Sequence, residues 1–266
     1  MTATYWLSPV LPASTCAARL TEQVVPCFPA TLDVQVVRPD SRSELGHEPE
    51  SLARYAQSTP SALASKPLGE LSFRMLNGSR LCVYNVADDA EHYGQIVDTV
   101  LRHPGIVILH ERTLHKLCQG LEQSVHGECE FYRSALIRWY GRRGHDAADA
   151  IQDGHAGLDE TLHELPLFEV VLEGALGAVT HDPELAAEIL ERFPGLPVTT
   201  FEPPSSVGGL ADPHFYAAQL EEWLERERET MFRRWSDAAL IEAIARTYAL
   251  TTPSRFLPLL PARLIS

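Results

Sequence analysis

LCVYNVADDAEHYGQIVDTVLRHPGIVILHERTLHKL, residues 81–117, reads as strand, turn, helix, turn and strand, with polar residues gathered where each strand ends. Leu81 to Tyr84 is a short apolar run, Ile96 to Leu101 carries helical spacing, and Gly105 to Leu109 is too apolar for a half-exposed strand. Both strands are therefore expected to be buried in a parallel sheet. In such sheets ligands bind outside the carboxyl ends of the strands. The second run stops at His110 and Glu111, which puts an imidazole and a carboxylate together at that edge.

The same alternation continues on both sides. Ala3 to Ser8 predicts a first strand, Cys16 to Val25 a helix ended by Pro26, and Leu32 to Val37 a second strand, which makes one βαβ unit. Residues 38–67 are polar and proline-spaced, with a short amphipathic piece at 52–56, and read as a long connection. Helices are expected over Thr113–Glu122, Glu128–Arg142, His145–Asp153 and Leu165–Ala175, and strands over Ala178–Thr180 and Val198–Phe201. This pattern predicts an α/β fold, a Rossmann-like parallel sheet of six strands with helices on both faces, over residues 1–204. Residues 205–266 read as a helical segment packing on it. Asp212 to Ala249 is nearly continuous helix former, started by Pro213, with an apolar stripe of Phe215, Tyr216, Leu220, Trp223 and Leu224. The apolar tail Phe256 to Ile265, interrupted by Pro258 and Pro261, is expected to lie extended against the body or a partner.

Charge and composition narrow the function. A formal net charge of −14 over 266 residues opposes nucleic-acid binding, which needs a basic face, and adsorption to anionic membrane. A soluble ligand is favoured over a membrane-bound one. Cys16, Cys27, Cys82, Cys118 and Cys129 form no CxxC pair and read as free thiols of a reducing cytosol. The sequence shows no secretory leader pattern and no run near the ~18 apolar residues of a membrane span, so a cytoplasmic location is expected. No GxGxxG follows a strand, and neither GxSxG nor a P-loop occurs, so no cofactor is expected. GHDAADAIQDGH, residues 144–155, holds His145, Asp146, Asp153 and His155, but their spacing fits no zinc pattern, and no metal is expected.

His110 and Glu111 are the catalytic candidates. A carboxylate in a cleft with a raised pKa suits proton removal from a hydroxyl, and histidine exchanges protons near neutral pH. The plainer readings are a histidine bonded to backbone and a glutamate at the start of the next helix, where its charge stabilises by ~0.3–1 kcal/mol. Asn85, Asp88, Asp89 and His92 form a polar loop at the previous strand's exit, where aspartates also cap helices. His181 with Asp182 repeats the theme after Thr180, although Asp182 before Pro183 is also a helix N-cap signal.

These letters resemble the N-terminal half of retaining glycosyltransferases of the GT-B fold, in the large bacterial group called family 4. That half carries a segment like YHxGNxxxH…LRHPGVVVLHD…LHHL, matched here by Tyr84, Asn85, His92, Leu101 to Gly105, Leu109, His110, Leu114, His115 and Leu117. The opening YWLSPVLPASTCAARL, residues 5–20, is similar to the family's SPLPPxxSGIADYxxxL, and VVLEGALGAVTHDPELAAEIL, residues 170–190, to its later strand and helix. The resemblance covers roughly residues 5–203. It departs at Thr15, where the family has a glycine and a Cβ now blocks close backbone approach, and at Glu111 and Asp182, where the family has aspartate and serine.

About sixty residues follow Pro204, so the resemblance implies an acceptor-side domain with the donor-binding half missing. It further implies sugar transfer, or help in it, from a nucleotide-sugar to a small-molecule or glycan acceptor. Ser14, Thr15, Asn85, Asp88, His92, His181 and Asp182 would then contact substrate, and a donor-domain partner protein or a second copy would complete the site. Two other readings stay open: a non-catalytic accessory or regulatory subunit, and a repurposed single-domain enzyme using His110 and Glu111 as an acid-base pair.

Overall fold

A computed structural model describes residues 3–40, 63–121, 131–153, 162–204 and 212–236. In chain order these residues form β1 (Thr4–Leu7), α1 (Cys16–Val24), β2 (Val34–Arg38), β3 (Ser65–Pro67), α2 (Phe73–Asn77), β4 (Leu81–Val86) and α3 (Ala90–Val100). Then follow β5 (Ile106–Leu109), α4 (His115–Leu121), α5 (Phe131–Tyr140), α6 (Arg142–Gln152), α7 (Glu169–Leu172), β6 (Gly177–Thr180), α8 (Pro183–Arg192), β7 (Val198–Thr200) and α9 (Pro213–Arg226). The strands make one parallel sheet in the order β3-β2-β1-β4-β5-β6-β7. The order reverses direction between β1 and β4, and a crevice at that point is where α/β sheets of this kind hold ligands.

Side-chain alternation along each strand divides the core in two. Tyr5, Leu7, Tyr84, Val86, Val107, Leu109 and Ala178 belong to the face covered by α3 to α8. Trp6, Val83, Ile106, Ile108 and Val179 belong to the other, where Leu20 and Val24 of α1 and Tyr216, Leu220 and Trp223 of α9 pack over them. All four residues of β5 are fully buried, each large apolar side chain contributing about 1.5–3 kcal/mol. Gly105, which leads into β5, lies so close to the Tyr84 ring and the Cys82 carbonyl that a Cβ has no room.

The sheet has seven strands rather than six. The added one, β3, is a three-residue edge strand paired with β2, and it comes from the proline-spaced stretch read as a connection. The helix expected over Leu165–Ala175 shrinks to α7, because Pro166 and a left-handed Leu167 (φ 64°) precede it; the Tyr140 hydroxyl accepts from Leu167 N at 2.8 Å and holds that bend. Gly141 at φ 58° ends α5 and starts α6 three residues before the expected His145. The C-terminal helix breaks at Glu227 and resumes over 228–236. The short amphipathic piece at 52–56, Cys129 and the tail 256–265 lie outside the described residues. Cys16, Cys27, Cys82 and Cys118 are free thiols. No described helix is long and apolar enough to cross a membrane.

Candidate functional site

Sheet register brings the strand-end residues together. Leu109 of β5 pairs with Thr180 of β6, so His110 and His181 occupy the next step on neighbouring strands. Their rings lie 5.3 Å apart, tilted by 50°. Asn85 of β4 pairs with Ile108, and His110 is two residues beyond Ile108, so Asn85, His110 and His181 all fall on the α1 and α9 face.

The hydrogen bonds fix both imidazoles. Asn85 is fully buried, and its Nδ2 donates to the Leu7 carbonyl at 3.3 Å. Its Oδ1 therefore faces His110, 2.9 Å from Nε2. An amide oxygen only accepts, so His110 carries its proton on Nε2 and presents a bare Nδ1. His181 has the opposite arrangement: Nδ1 donates to the Phe201 carbonyl at 3.0 Å, which leaves Nε2 unprotonated, buried and without a partner among the described residues. Burial first, and the His181 ring second, lower the His110 pKa to about 3; burial also depresses His181, against the pull of the Phe201 carbonyl. Both rings are neutral at ordinary pH.

The neighbouring groups come from α1, α3 and α9. Thr15 caps α1, its Oγ1 accepting from Ala18 N at 3.1 Å, and Ser14 stands exposed beside it. Beneath this loop, Trp6 Nε1 donates to Thr21 Oγ1 at 2.9 Å, and the Thr21 hydroxyl donates to Ser8 Oγ at 2.8 Å. Glu111 is exposed, and its charge is felt by the Cys16 thiol and the Tyr93 phenol. Burial raises both pKa values first, and Glu111 adds to each. Tyr216 of α9 lies behind His181, ring centres 5.9 Å apart, and its buried Oη has no partner among the described residues.

Three of the residues singled out from sequence are held by helix starts. Asp88 Oδ1 accepts from Leu117 N at 2.8 Å in the first turn of α4; burial raises its pKa, which that bond opposes. His92 bonds Asp89, Nδ1 to Oδ2 at 2.6 Å, while Asp89 caps α3 through Glu91 N. Asp182 caps α8, accepting from Glu184 N at 2.8 Å. His115 is interior: Nε2 donates to the Leu162 carbonyl and Nδ1 accepts from Tyr132 Oη. Sequence reasoning missed Tyr93 and Tyr216 as site neighbours. Tyr216 was legible only as one member of an apolar stripe.

Among the described residues no group of three His, Cys, Asp or Glu side chains is placed to hold a metal. A cavity of about 880 Å³ lies elsewhere, at the amino ends of the strands, between Thr4, Leu81 and Leu176 and the Leu220–Phe232 side of α9 and its continuation. Its lining is mainly apolar, with charged side chains such as Arg80, Glu222 and Arg226 around it, and includes none of the strand-end polar groups near His110. No family model matches the chain, and no curated protein matches it either.

Proposed function

We propose that this chain is a glycosyltransferase-like protein of the cytoplasm, an acceptor-side domain whose carboxyl-edge crevice binds a small hydroxyl-bearing acceptor or glycan. The observation that carries the reading is the fixed, neutral His110 at the crevice, its Nε2 proton held by Asn85 and its Nδ1 lone pair left for a ligand hydroxyl. The resemblance around Tyr84–Leu117 supports the sugar-transfer setting. The donor nucleotide-sugar then requires a partner domain or a second copy.

The same observation favours binding over acid-base chemistry. General bases work best with pKa values near the working pH, and an imidazole at about 3 accepts hydrogen bonds far better than protons. A non-catalytic acceptor-binding subunit is therefore the second reading.

Calorimetric titration of the chain with UDP-, GDP- and dTDP-sugars and with a panel of neutral saccharides, repeated on His110→Ala, tests the proposal. Saccharide binding that disappears in the variant is expected. Absence of binding to every saccharide and nucleotide-sugar overturns it.

A further inference from the structure

We infer that the surface around the cavity at the amino ends of the strands is an interface between two copies of this chain, paired about a twofold axis. The inference is independent of the acceptor reading, because His110 and His181 stand at the opposite, carboxyl edge of the sheet. The cavity, about 880 Å³, lies between Leu81 and Leu176 at the strand starts and Leu220 and Met231 on α9 and its continuation. Phe232 and Trp235 also line it, yet they are 64% and 40% exposed, their rings stacked 6.3 Å apart at 27°. A small molecule inside the cavity would leave the outer face of this aromatic pair in water. A protein surface covers both, and large exposed aromatics beside an apolar hollow mark such a contact.

The charges identify the partner. Arg80, Arg226 and Arg228 are matched around the cavity by Glu221, Glu222 and Glu225, so the patch is locally balanced in a chain of net charge −14. Two like-charged copies repel over most of their surfaces and meet most easily at such a patch. Arg226 is paired with Glu227 at 3.3 Å and Arg228 with Glu225 at 3.7 Å. The side chains of Arg80, just before β4, and of Glu221 and Glu222, on α9, have no partner among the described residues, although all three border the same cavity. A twofold-related copy brings the two glutamates of each protomer toward Arg80 of the other. One patch thus holds aromatic knob and apolar hollow, and unpaired charge of both signs, which is the self-complementarity an isologous interface needs. A partner of one dominant charge would leave one of the two signs unanswered.

The test is sedimentation velocity of the full chain at rising concentration, in about 0.15 M salt, where repulsion between the net charges is screened beyond about 8 Å. A concentration-dependent dimer is expected. Trp235→Asp is expected to weaken it by roughly thirtyfold, the low end for a tryptophan at the centre of an interface, with the far-UV spectrum unchanged because the side chain is exposed. Arg80→Glu is expected to weaken it about fivefold, and Arg80→Glu combined with Glu222→Arg to restore it, a rescue that a disturbance of the fold by either change would not give. A dimer that neither Trp235→Asp nor Arg80→Glu weakens overturns the interface, and so does a monomer at every concentration. A monomer that binds an apolar dye, with binding lost in Trp235→Asp, gives the cavity to a small ligand instead.

Discussion

Asn85 decides which nitrogen of His110 is open to a ligand. Its amide spans from the Leu7 carbonyl on β1 to His110 Nε2 at the end of β5, so three adjacent strands fix one proton. Asn85→Asp places a carboxylate against that Nε2–H and is expected to raise the His110 pKa well above about 3. Asn85→Leu removes both bonds and is expected to cost about 1–3 kcal/mol, because the ring N–H and the Leu7 carbonyl are left unpaired. Nitrogen chemical shifts of His110 against pH, with urea unfolding of both variants, check these outcomes. A wild-type His110 carrying its proton on Nδ1 would contradict them.

Acid should destabilise the protein earlier than carboxylate titration alone would. His110 is depressed to about 3 and His181 lies below its ordinary value, so between those values and the unfolded histidine value of about 6.5 the unfolded chain binds more protons. Stability is then complete above about pH 6.5 and falls as the pH drops, by up to about 1.4 kcal/mol per pH unit from His110 alone. His110→Gln keeps an N–H for Asn85 and removes the titration. Its unfolding free energy is expected to stay flatter from pH 6.5 down to 4.5 than that of the wild type, as measured by denaturant midpoints.

The strands β4 and β5 were readable because each is a compact apolar run, and their polar ends marked the candidate site. The pairing of His110 with His181 was not, since it depends on the register between β5 and β6, strands separated by four intervening helices among the described residues. Both faces of the sheet are buried, so no alternation in the sequence said that Asn85, His110 and His181 share one. β3 escaped because its three residues, Ser65–Pro67, carry no apolar signal and gain their place from β2. His115 stood among the resembling letters, yet it is an interior residue bonded to Tyr132 and Leu162.

Asp88 was a candidate ligand residue whose bond to Leu117 N gives it a structural role. Asp88→Ala is expected to cost about 1 kcal/mol, the usual loss for an acceptor removed from a helix start, and to leave saccharide affinity unchanged. Thermal unfolding and calorimetry on the same variant separate the two effects. Weakened binding without loss of stability would return Asp88 to the crevice.

Cys16 is exposed at the first turn of α1, a position that ordinarily makes a thiol reactive. Here burial of part of the side chain and the Glu111 charge raise its pKa, against the pull of the helix backbone N–H groups. Slow alkylation by iodoacetamide at neutral pH is expected despite the exposure. Glu111→Gln should speed it several-fold, read by mass spectrometry of the Cys16 peptide. An unchanged rate would mean that the carboxylate points away from the first loop.

Tyr216→Phe tests how α9 closes the site. The ring packs on His181 and Phe201, at 5.9 and 5.4 Å between centres, and Phe keeps both contacts. The hydroxyl is fully buried with no partner among the described residues, and burying an unpaired hydroxyl costs about 1–3 kcal/mol. Removing it is therefore expected to stabilise the chain by up to about 1 kcal/mol, after allowing for relaxation around the smaller side chain. Urea denaturation reads the change directly. A loss of stability of the same size would show that the hydroxyl bonds something, and a rescue of that loss by saccharide would place Tyr216 on the ligand side of His181.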